Sequence, residues 1–153
     1  MTKEIIIAAF KDFFEKNNWH STFDEEKSYF RCGVNIKCKL REVRLLIDVK
    51  DDAFLTYAVI PIAADKENPD EMLRYLSMAN YGLKNGNFEL DLRDGEIRYK
   101  VYENLDGFDT LPEQVVKDSI YIPVLMVEKY GDGIAALAMG FSDADSEYKK
   151  TQK

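Results

Sequence analysis

A long stretch of strict two-residue alternation constrains the fold of this chain more than any other feature. Between residues 29 and 40, apolar residues occupy every even position, and mostly polar residues occupy the odd positions. Period-two patterning predicts a strand with one buried face and one solvated face. Residues 43–49 repeat the pattern, and residues 53–62 are apolar on both faces, which is typical of a central strand. The sequence therefore predicts an antiparallel meander.

Helical patterns flank these strands. Apolar spacing predicts an amphipathic helix over residues 3–17, and a short strand over residues 19–23 leads into the meander. A second helix is predicted to begin at Asn68, because an asparagine N-cap is followed by proline and then by Glu71 in a capping box.

An Asp-Gly pair at residues 94–95 lies between two alternating runs and predicts a two-residue hairpin loop. With that loop, Asp91 pairs across the hairpin with Arg98, and Glu89 pairs with Lys100. Cross-strand pairs of opposite charge each contribute about 0.2–1 kcal/mol. The hairpin is therefore predicted to add two strands to the sheet.

A third helix is predicted from a capping box at Thr110 to about Lys129. Glycines at residues 131 and 133 then predict a helix end, followed by a short separate helix over residues 134–139.

These elements predict one α+β domain over residues 1–141, with a polar, frayed C-terminal tail over residues 142–153. The predicted order is α-β-β-β-β-α-β-β-α(-α). In this arrangement helices pack on an antiparallel sheet that is built from the meander and the hairpin.

Charge and hydropathy indicate a cytoplasmic protein. The formal net charge of −7 argues against a nucleic-acid partner, because phosphate attraction dominates that affinity. Apolar runs are shorter than the roughly 20 residues of a membrane span and the roughly 7–15 of a secretory signal. Cys32 and Cys38 are predicted on one face of the same strand, about 20 Å apart, which excludes a disulfide.

Several segments resemble the YbjN-type family of bacterial sensory-transduction regulators. The similar segments are Tyr29–Val34, Val43–Val49, Ala79–Asp91 and Gly95–Lys100. The resemblance extends over about residues 5–140. It implies a fold shared with type III secretion chaperones, a homodimer, and a regulatory or protein-binding role. It supplies no catalytic residue and no cofactor.

A polar cluster is predicted where the second helix meets the hairpin. Its members are Asn80, Tyr81, Asn87, Glu89 and Asp91. One interpretation is a pocket of a small-ligand sensor or enzyme, with the two carboxylates in acid–base roles. The other is structural, since asparagine is common at turns and Lys100 and Arg98 are available to pair with the carboxylates.

A basic patch is predicted on the solvated face of the long strand, formed by Arg31, Lys37 and Lys39. Residues 27–50 carry seven basic and two acidic side chains within an acidic chain. The patch is either a solvated face whose lysines discourage edge pairing, or a docking surface for an acidic partner.

The third helix is apolar on more than one side. Tyr121, Val124, Leu125 and Met126 are the candidates for a dimer or partner interface, unless both sides are buried within the monomer.

The candidate motifs for metal or nucleotide binding lack the ligands or the surrounding elements that such sites require. His20 is the only histidine, so a structural zinc site and a metal centre lack ligands. Gly131–Ala136 imitates a dinucleotide fingerprint without the βαβ unit that such a site requires. The leading hypothesis is a non-enzymatic regulatory or chaperone-like adaptor that acts as a homodimer and binds a segment of a protein partner in a groove between the sheet and the helices. Met72, Met78 and Met126 are candidates to line this groove, because methionine suits adaptable surfaces, and the alternative is that they fill the core. The alternative hypothesis is a sensor or enzyme with a pocket near Asn80, Asn87 and Glu89.

Overall fold

The computed structural model describes residues 1–152, which form four helices and six strands. In chain order these are α1 (Lys3–Lys16), β1 (Thr22–Asp24), β2 (Tyr29–Asn35), β3 (Glu42–Lys50), β4 (Ala53–Val59), α2 (Asp70–Asn80), β5 (Asn87–Leu90), β6 (Ile97–Asn104), α3 (Glu113–Ala138) and α4 (Ala144–Thr151). This order confirms the predicted α+β fold.

All six strands belong to one antiparallel sheet with the order β1-β2-β3-β4-β6-β5. Alternation gives the sheet two different faces, as β3 shows. Val43, Leu45 and Ile47 are fully buried, whereas Arg44 and Leu46 between them face the other side. The helices α1 and α3 pack on the central strands, and α2 packs on β5. The core lies between these helices and one face of the sheet.

Aromatic rings join α1 to the sheet. The ring of Phe10 lies 4.9 Å from that of Phe54 at 84°, and the ring of Phe14 lies 5.5 Å from that of Phe30. All four side chains are buried. Such pairs add about 0.5–1.5 kcal/mol each beyond the burial of their area. The apolar side of α1 that the spacing predicts is therefore the side that anchors it.

The strand β2 is shorter than predicted. It ends at Asn35, and the following turn includes Arg41 at φ 67°. Cys32 is buried in β2, but Cys38 lies half-buried in the turn, so the prediction that both cysteines share one strand is wrong. The turn packs on α3, since a Cβ added at Gly131 would lie 2.7 Å from the sulfur of Cys38. The alternating pattern therefore continues past the strand because Ile36 and Leu40 of the turn are also buried.

The β5–β6 hairpin has another register than the predicted one. Glu89 lies opposite Arg98 rather than Lys100, and the loop holds four residues instead of two. Gly95 adopts φ 83° against Ala64, whose carbonyl oxygen would lie 2.2 Å from an added Cβ. The N–H of Ala64 also donates to the Gly95 carbonyl at 2.9 Å. The segment after β4 thus selects a wider loop than the local turn signal indicates.

The capping boxes predicted for α2 and α3 are wrong. Their N-caps are Pro69 and Pro112, and neither makes a side-chain hydrogen bond to its helix. Asn68 and Thr110 lie outside the helices. Proline presets φ for the first turn, so each helix begins after it without a capping side chain.

The third helix continues through the glycines that were predicted to end it. It is a single helix of 26 residues that includes Pro123, Gly131 and Gly133. A Cβ at Gly133 would lie 2.2 Å from the hydroxyl oxygen of Tyr75. Both glycines are buried at close contacts with other parts of the chain. They allow close approach rather than a helix stop.

The segment predicted as a frayed tail contains the helix α4, which packs on α2 and α3. Ala144 is fully buried, and its N–H donates to the carboxylate of Glu71 at 2.6 Å. Arg74 also forms a bidentate ion pair with Asp145. Contacts with α2 therefore order a segment whose own composition is too polar to predict a docked helix.

Candidate functional site

Within residues 1–152, no helix covers the second face of the sheet, which we call the open face. Side chains on this face alternate with the buried ones and are half-buried or exposed. The side chains of its central strands are Tyr29, Arg31, Arg44, Leu46, Asp48, Leu55, Tyr57, Val59, Arg98, Lys100 and Tyr102.

Strand register arranges these side chains in rows across the sheet. Gly33, Arg44, Val59, Arg98 and Glu89 form one row, and Arg31, Leu46, Tyr57, Lys100 and Asn87 form the next. Neighbours within a row come from adjacent strands and lie about 4.8 Å apart. Apolar residues occupy the centre of both rows, and charged residues lie on either side of them.

A depression of about 600 Å³ lies over these two rows. It is lined by His20, Thr22, Arg31, Cys32, Gly33, Glu42, Arg44, Leu45, Leu46, Tyr57, Val59, Glu96 and Arg98. Its floor is apolar, and three guanidinium groups surround that floor. A surface of this kind suits contact with an apolar group that carries negative charge beside it.

Glu89 bridges the end of the two rows. Its carboxylate accepts hydrogen bonds from Arg98 at 2.8 Å and from Lys100 at 2.7 Å. Partial burial raises the pKa of Glu89, but the hydrogen bonds from Lys100 and Arg98 outweigh burial and leave the pKa below its usual value. Glu89 is therefore ionised and paired at neutral pH, which favours the structural interpretation over an acid–base role.

Two arginines of the open face have no ion-pair partner among the described residues. Arg31 lies over the ring of Tyr29, with 4.5 Å between its guanidinium carbon and the ring centre, and it donates a hydrogen bond to the Tyr29 hydroxyl, which leaves its charge unpaired. Arg44 is exposed beside Gly33, where an added Cβ would meet no atom within 4 Å. Arg98 also lies over an aromatic ring, but unlike Arg31 and Arg44 it forms an ion pair, with Glu89. Arg31 and Arg44 are thus the available cations of the depression.

The structure divides the predicted basic patch. Arg31 lies on the open face, but Lys37 and Lys39 belong to the turn after β2. The backbone N–H groups of these two lysines donate to carboxylates of α3, that of Lys37 to Glu128 at 3.2 Å and that of Lys39 to Asp132 at 2.8 Å. The three residues do not share one strand face because β2 ends before the lysines.

The predicted polar cluster is also divided. Asn80 donates to the carbonyl of Phe88 at 3.0 Å and accepts from its N–H at 2.7 Å, so it satisfies the free edge of β5. Tyr81 is 92% exposed, and the Asn87 side chain donates to the same carbonyl.

The two carboxylates of the cluster lie on the β5–β6 hairpin. Glu89 and Asp91 line a second depression of about 480 Å³ on the hairpin. Hydrogen bonds from Arg93 lower the pKa of Asp91 to about 2. The two asparagines thus bind backbone, whereas the two carboxylates pair with basic side chains, and the depression beside the carboxylates is not lined by Asn80, Tyr81 or Asn87.

The third helix carries a small apolar patch at its surface. Leu125 is 54% exposed, and Tyr121, Ile122 and Met126 around it are half-buried. Val124 faces the core and is nearly buried. Of the four interface candidates, three therefore reach the surface, and Ile122 joins them.

Residues 1–152 contain no group of three histidine, cysteine or carboxylate side chains that could hold a metal ion. Burial raises the pKa of both cysteine thiols, Cys32 and Cys38, above the usual value. None of the described helices is both long enough and apolar enough to span a bilayer.

Sequence reasoning missed Arg44, Arg98 and Lys100 as members of a surface with Arg31. Each alternates with buried residues in its own strand, which places it on the solvated face. Their common surface follows only from the pairing of β4 with both β3 and β6. Charge runs along the chain do not contain that information.

Comparison with known proteins shows the fold. No protein-family model matches the chain, and no curated protein matches its sequence. The structure resembles the HopA1–SchA chaperone–effector complex, with a TM-score of 0.57 and 13% identity, over 86% of this chain and 95% of that chain. It also resembles YbjN, a proposed transcription regulator from E. coli, with a TM-score of 0.55 and 12% identity, over 84% and 92% of the two chains. The predicted YbjN-like, secretion-chaperone-like fold is confirmed.

Proposed function

We propose that this chain is a non-enzymatic adaptor that binds a segment of a partner protein on the open face of its sheet and acts as a homodimer. The observation that carries the proposal is the uncovered face, on which Leu46, Leu55, Tyr57 and Val59 form a half-buried apolar centre. Exposed apolar surface with a polar rim is typical of protein-binding sites. One structure with this fold is a chaperone in complex with an effector, which supports a protein rather than a metabolite as the ligand.

The size of the open face suits a segment better than a whole domain. From β2 to β5 the sheet crosses five strands, or about 19 Å, and seven residues of each long strand extend over about 23 Å. The resulting area of roughly 440 Å² is about half of the 800 Å² that each partner buries in a standard interface. A short polypeptide would therefore cover the apolar centre.

The groove between sheet and helices is not the proposed site. Met72, which was predicted to line it, is 3% exposed and belongs to the core, and Met78 and Met126 are half-buried against that core. The three methionines therefore pack in or against the core and do not line an open groove.

Co-purification from extracts of cells that naturally express the protein tests the proposal. Wild type, Leu46→Asp and Leu73→Asp would be immobilised in parallel, and retained polypeptides would be quantified by mass spectrometry. Leu73 is an exposed apolar residue of α2, away from the open face, and serves as the matched control. We expect a polypeptide that wild type and Leu73→Asp retain and that Leu46→Asp loses. Equal retention by all three proteins would contradict the proposed site.

The dimer is proposed to form through the patch around Leu125, which also includes Tyr121, Ile122 and Met126. These residues follow one another at i, i+1, i+4 and i+5 on α3 and so form a continuous surface. Light scattering after size exclusion is expected to give a dimer for wild type and for Leu73→Asp. Leu125→Asp is expected to give a folded monomer, because an isologous contact places two carboxylates against each other. A monomeric wild type, or a dimeric Leu125→Asp, would contradict this interface.

A further inference from the structure

We infer that the segment bound on the open face is acidic, and that Arg31 and Arg44 recognise its carboxylates. This inference rests on the proposed function, since it names the chemistry of the partner at the same site. It does not follow from overall charge, because the chain has a net charge of −7 and repels acidic segments elsewhere. It follows from where the cations lie.

The two central rows of the open face form a basic band, which consists of Arg31, Arg44, Arg98 and Lys100. The only carboxylate in these rows is that of Glu89, at the β5 end. Glu89 is bound to Arg98 and Lys100. The part of the band that lies over β2 and β3 therefore keeps two positive charges without a partner among the described residues.

Acidic side chains border the band on both sides. Glu42 and Glu96 lie at one end of the strands, each two residues before an arginine of the band, and Asp48 lies in the row beyond Leu46. Like charges repel, so an acidic segment is disfavoured beside Glu42 and Glu96 and favoured over the band, whereas Asp48 at the other border is paired with Lys50. The pattern would therefore fix the position of a bound segment as well as attract it.

The spacing of the two guanidinium groups that lack an ion-pair partner among the described residues matches an extended segment. Arg31 lies opposite Leu46, and Arg44 lies opposite Gly33, so the two arginines are diagonal neighbours. Diagonal neighbours on paired strands lie about 7–8 Å apart. Alternate residues of an extended chain project on one side about 7 Å apart. Two acidic residues separated by one residue would thus reach both arginines at once.

The surroundings of Arg31 and Arg44 favour the binding of a carboxylate from a partner segment. Arginine binds carboxylates with two parallel hydrogen bonds, and such bonds are stronger where solvent is reduced. Leu46 and Val59 form a half-buried apolar floor between and beside the arginines. A bound segment would cover this floor and displace water from the ion pairs.

Peptide binding measured by fluorescence anisotropy tests the inference. The probes are a short labelled peptide with glutamate at alternate positions, the same peptide with glutamine at those positions, and an RNA oligonucleotide of equal length. The proteins are wild type, Leu46→Asp, Arg31→Gln/Arg44→Gln, and the control Lys84→Gln/Lys117→Gln. The control removes two exposed cations without ion-pair partners among the described residues, so both double variants change the net charge equally.

We expect wild type and the control to bind the glutamate peptide at least ~10-fold more tightly than the glutamine peptide. The arginine variant should lose about 10-fold in affinity for each arginine removed, since charge-assisted hydrogen bonds have this magnitude. Added salt should weaken the binding of the glutamate peptide to wild type. Thermal unfolding of each variant checks that the surface substitutions leave the fold intact.

Four results would overturn the inference. Equal binding of both peptides, lost in Leu46→Asp, would keep the proposed function but reject an acidic partner. Equal losses in the arginine variant and the control would show that only net charge matters. Tighter binding of the RNA than of the glutamate peptide would assign the band to nucleic acid. If neither peptide binds the protein, this inference is rejected. The co-purification experiment then tests the proposed function independently.

Discussion

Gly133 lies inside α3 at the point where the helix approaches Tyr75 most closely. An added Cβ would lie 2.2 Å from the hydroxyl oxygen and 2.5 Å from the ring carbon that carries it. Tyr75 is fully buried, and its hydroxyl donates to the carbonyl of Tyr130 at 2.9 Å. The substitution Gly133→Ala therefore forces the ring to move and weakens this hydrogen bond.

Two effects of opposite sign decide the result. At an unconstrained helix position, alanine stabilises by about 1 kcal/mol relative to glycine. Overpacking a buried site costs about 1–3 kcal/mol, and a weakened buried hydrogen bond costs about 1 kcal/mol more. We therefore expect Gly133→Ala to lower the free energy of unfolding by about 2 kcal/mol net. For a chain of this length that corresponds to a fall in Tm of about 4–8 °C.

Urea unfolding followed by circular dichroism measures the change. Gly131→Ala is the matched control, because the atoms nearest to its added Cβ are the ends of the Cys38 and Leu40 side chains, which can move. Tyr75→Phe removes the hydroxyl that meets the new methyl group, so Gly133→Ala should cost about 1 kcal/mol less in that background. A variant Gly133→Ala that is more stable than wild type by about 1 kcal/mol would refute the close approach.

Three further predictions concern the edge of the sheet, the ion pair and the last helix. Asn80→Ala removes both hydrogen bonds to Phe88 and should cost about 1–3 kcal/mol in urea unfolding. Tyr81→Ala should change stability by less than about 0.5 kcal/mol, and equal losses would contradict the structural role of Asn80. The pKa of Glu89 is lowered in the fold, so its ionised carboxylate stabilises the folded state. This stabilisation is complete above the ordinary pKa of 4.5 and is lost as pH falls through the lower pKa of the folded state. Glu89→Gln should therefore be less stable than wild type at pH 7, and it should lose less stability than wild type as pH falls below 4.5. Parallel pH profiles of unfolding for the two proteins would contradict the pairing of Glu89 with Arg98 and Lys100. Ala144→Arg places a charge at a fully buried position, so hydrogen exchange over α4 should become fast while that of α1 stays slow. Slow exchange over α4 in this variant would contradict its docking.

The faces of the elements could be predicted from the sequence because they depend on local periodicity. The buried face of β3 and the apolar side of α1 are the predicted ones, since side chains two residues apart on a strand, or three and four apart on a helix, must share a side. The order of elements and the α+β class follow from the same patterns. For the candidate site, alternation correctly placed Arg31 on a solvated face.

Contacts between distant segments of the chain determine the features that the sequence did not predict. Ala64 selects the hairpin loop at Gly95, and Tyr75 explains a glycine that otherwise indicates a helix end. The helix α4 is ordered by Glu71 and Arg74 of α2, more than seventy residues earlier in the chain. None of these partners is visible in a local window of sequence.

The basic band shows the same division. Each strand by itself determined that Arg31, Arg44, Arg98 and Lys100 lie on a solvated face, because the period of a strand is two. Only strand pairing decided that they share two adjacent rows, and only the position of Glu89 decided which of them remain unpaired. Periodicity is a property of neighbours along the chain, whereas a surface is formed by residues that folding brings together from separate strands.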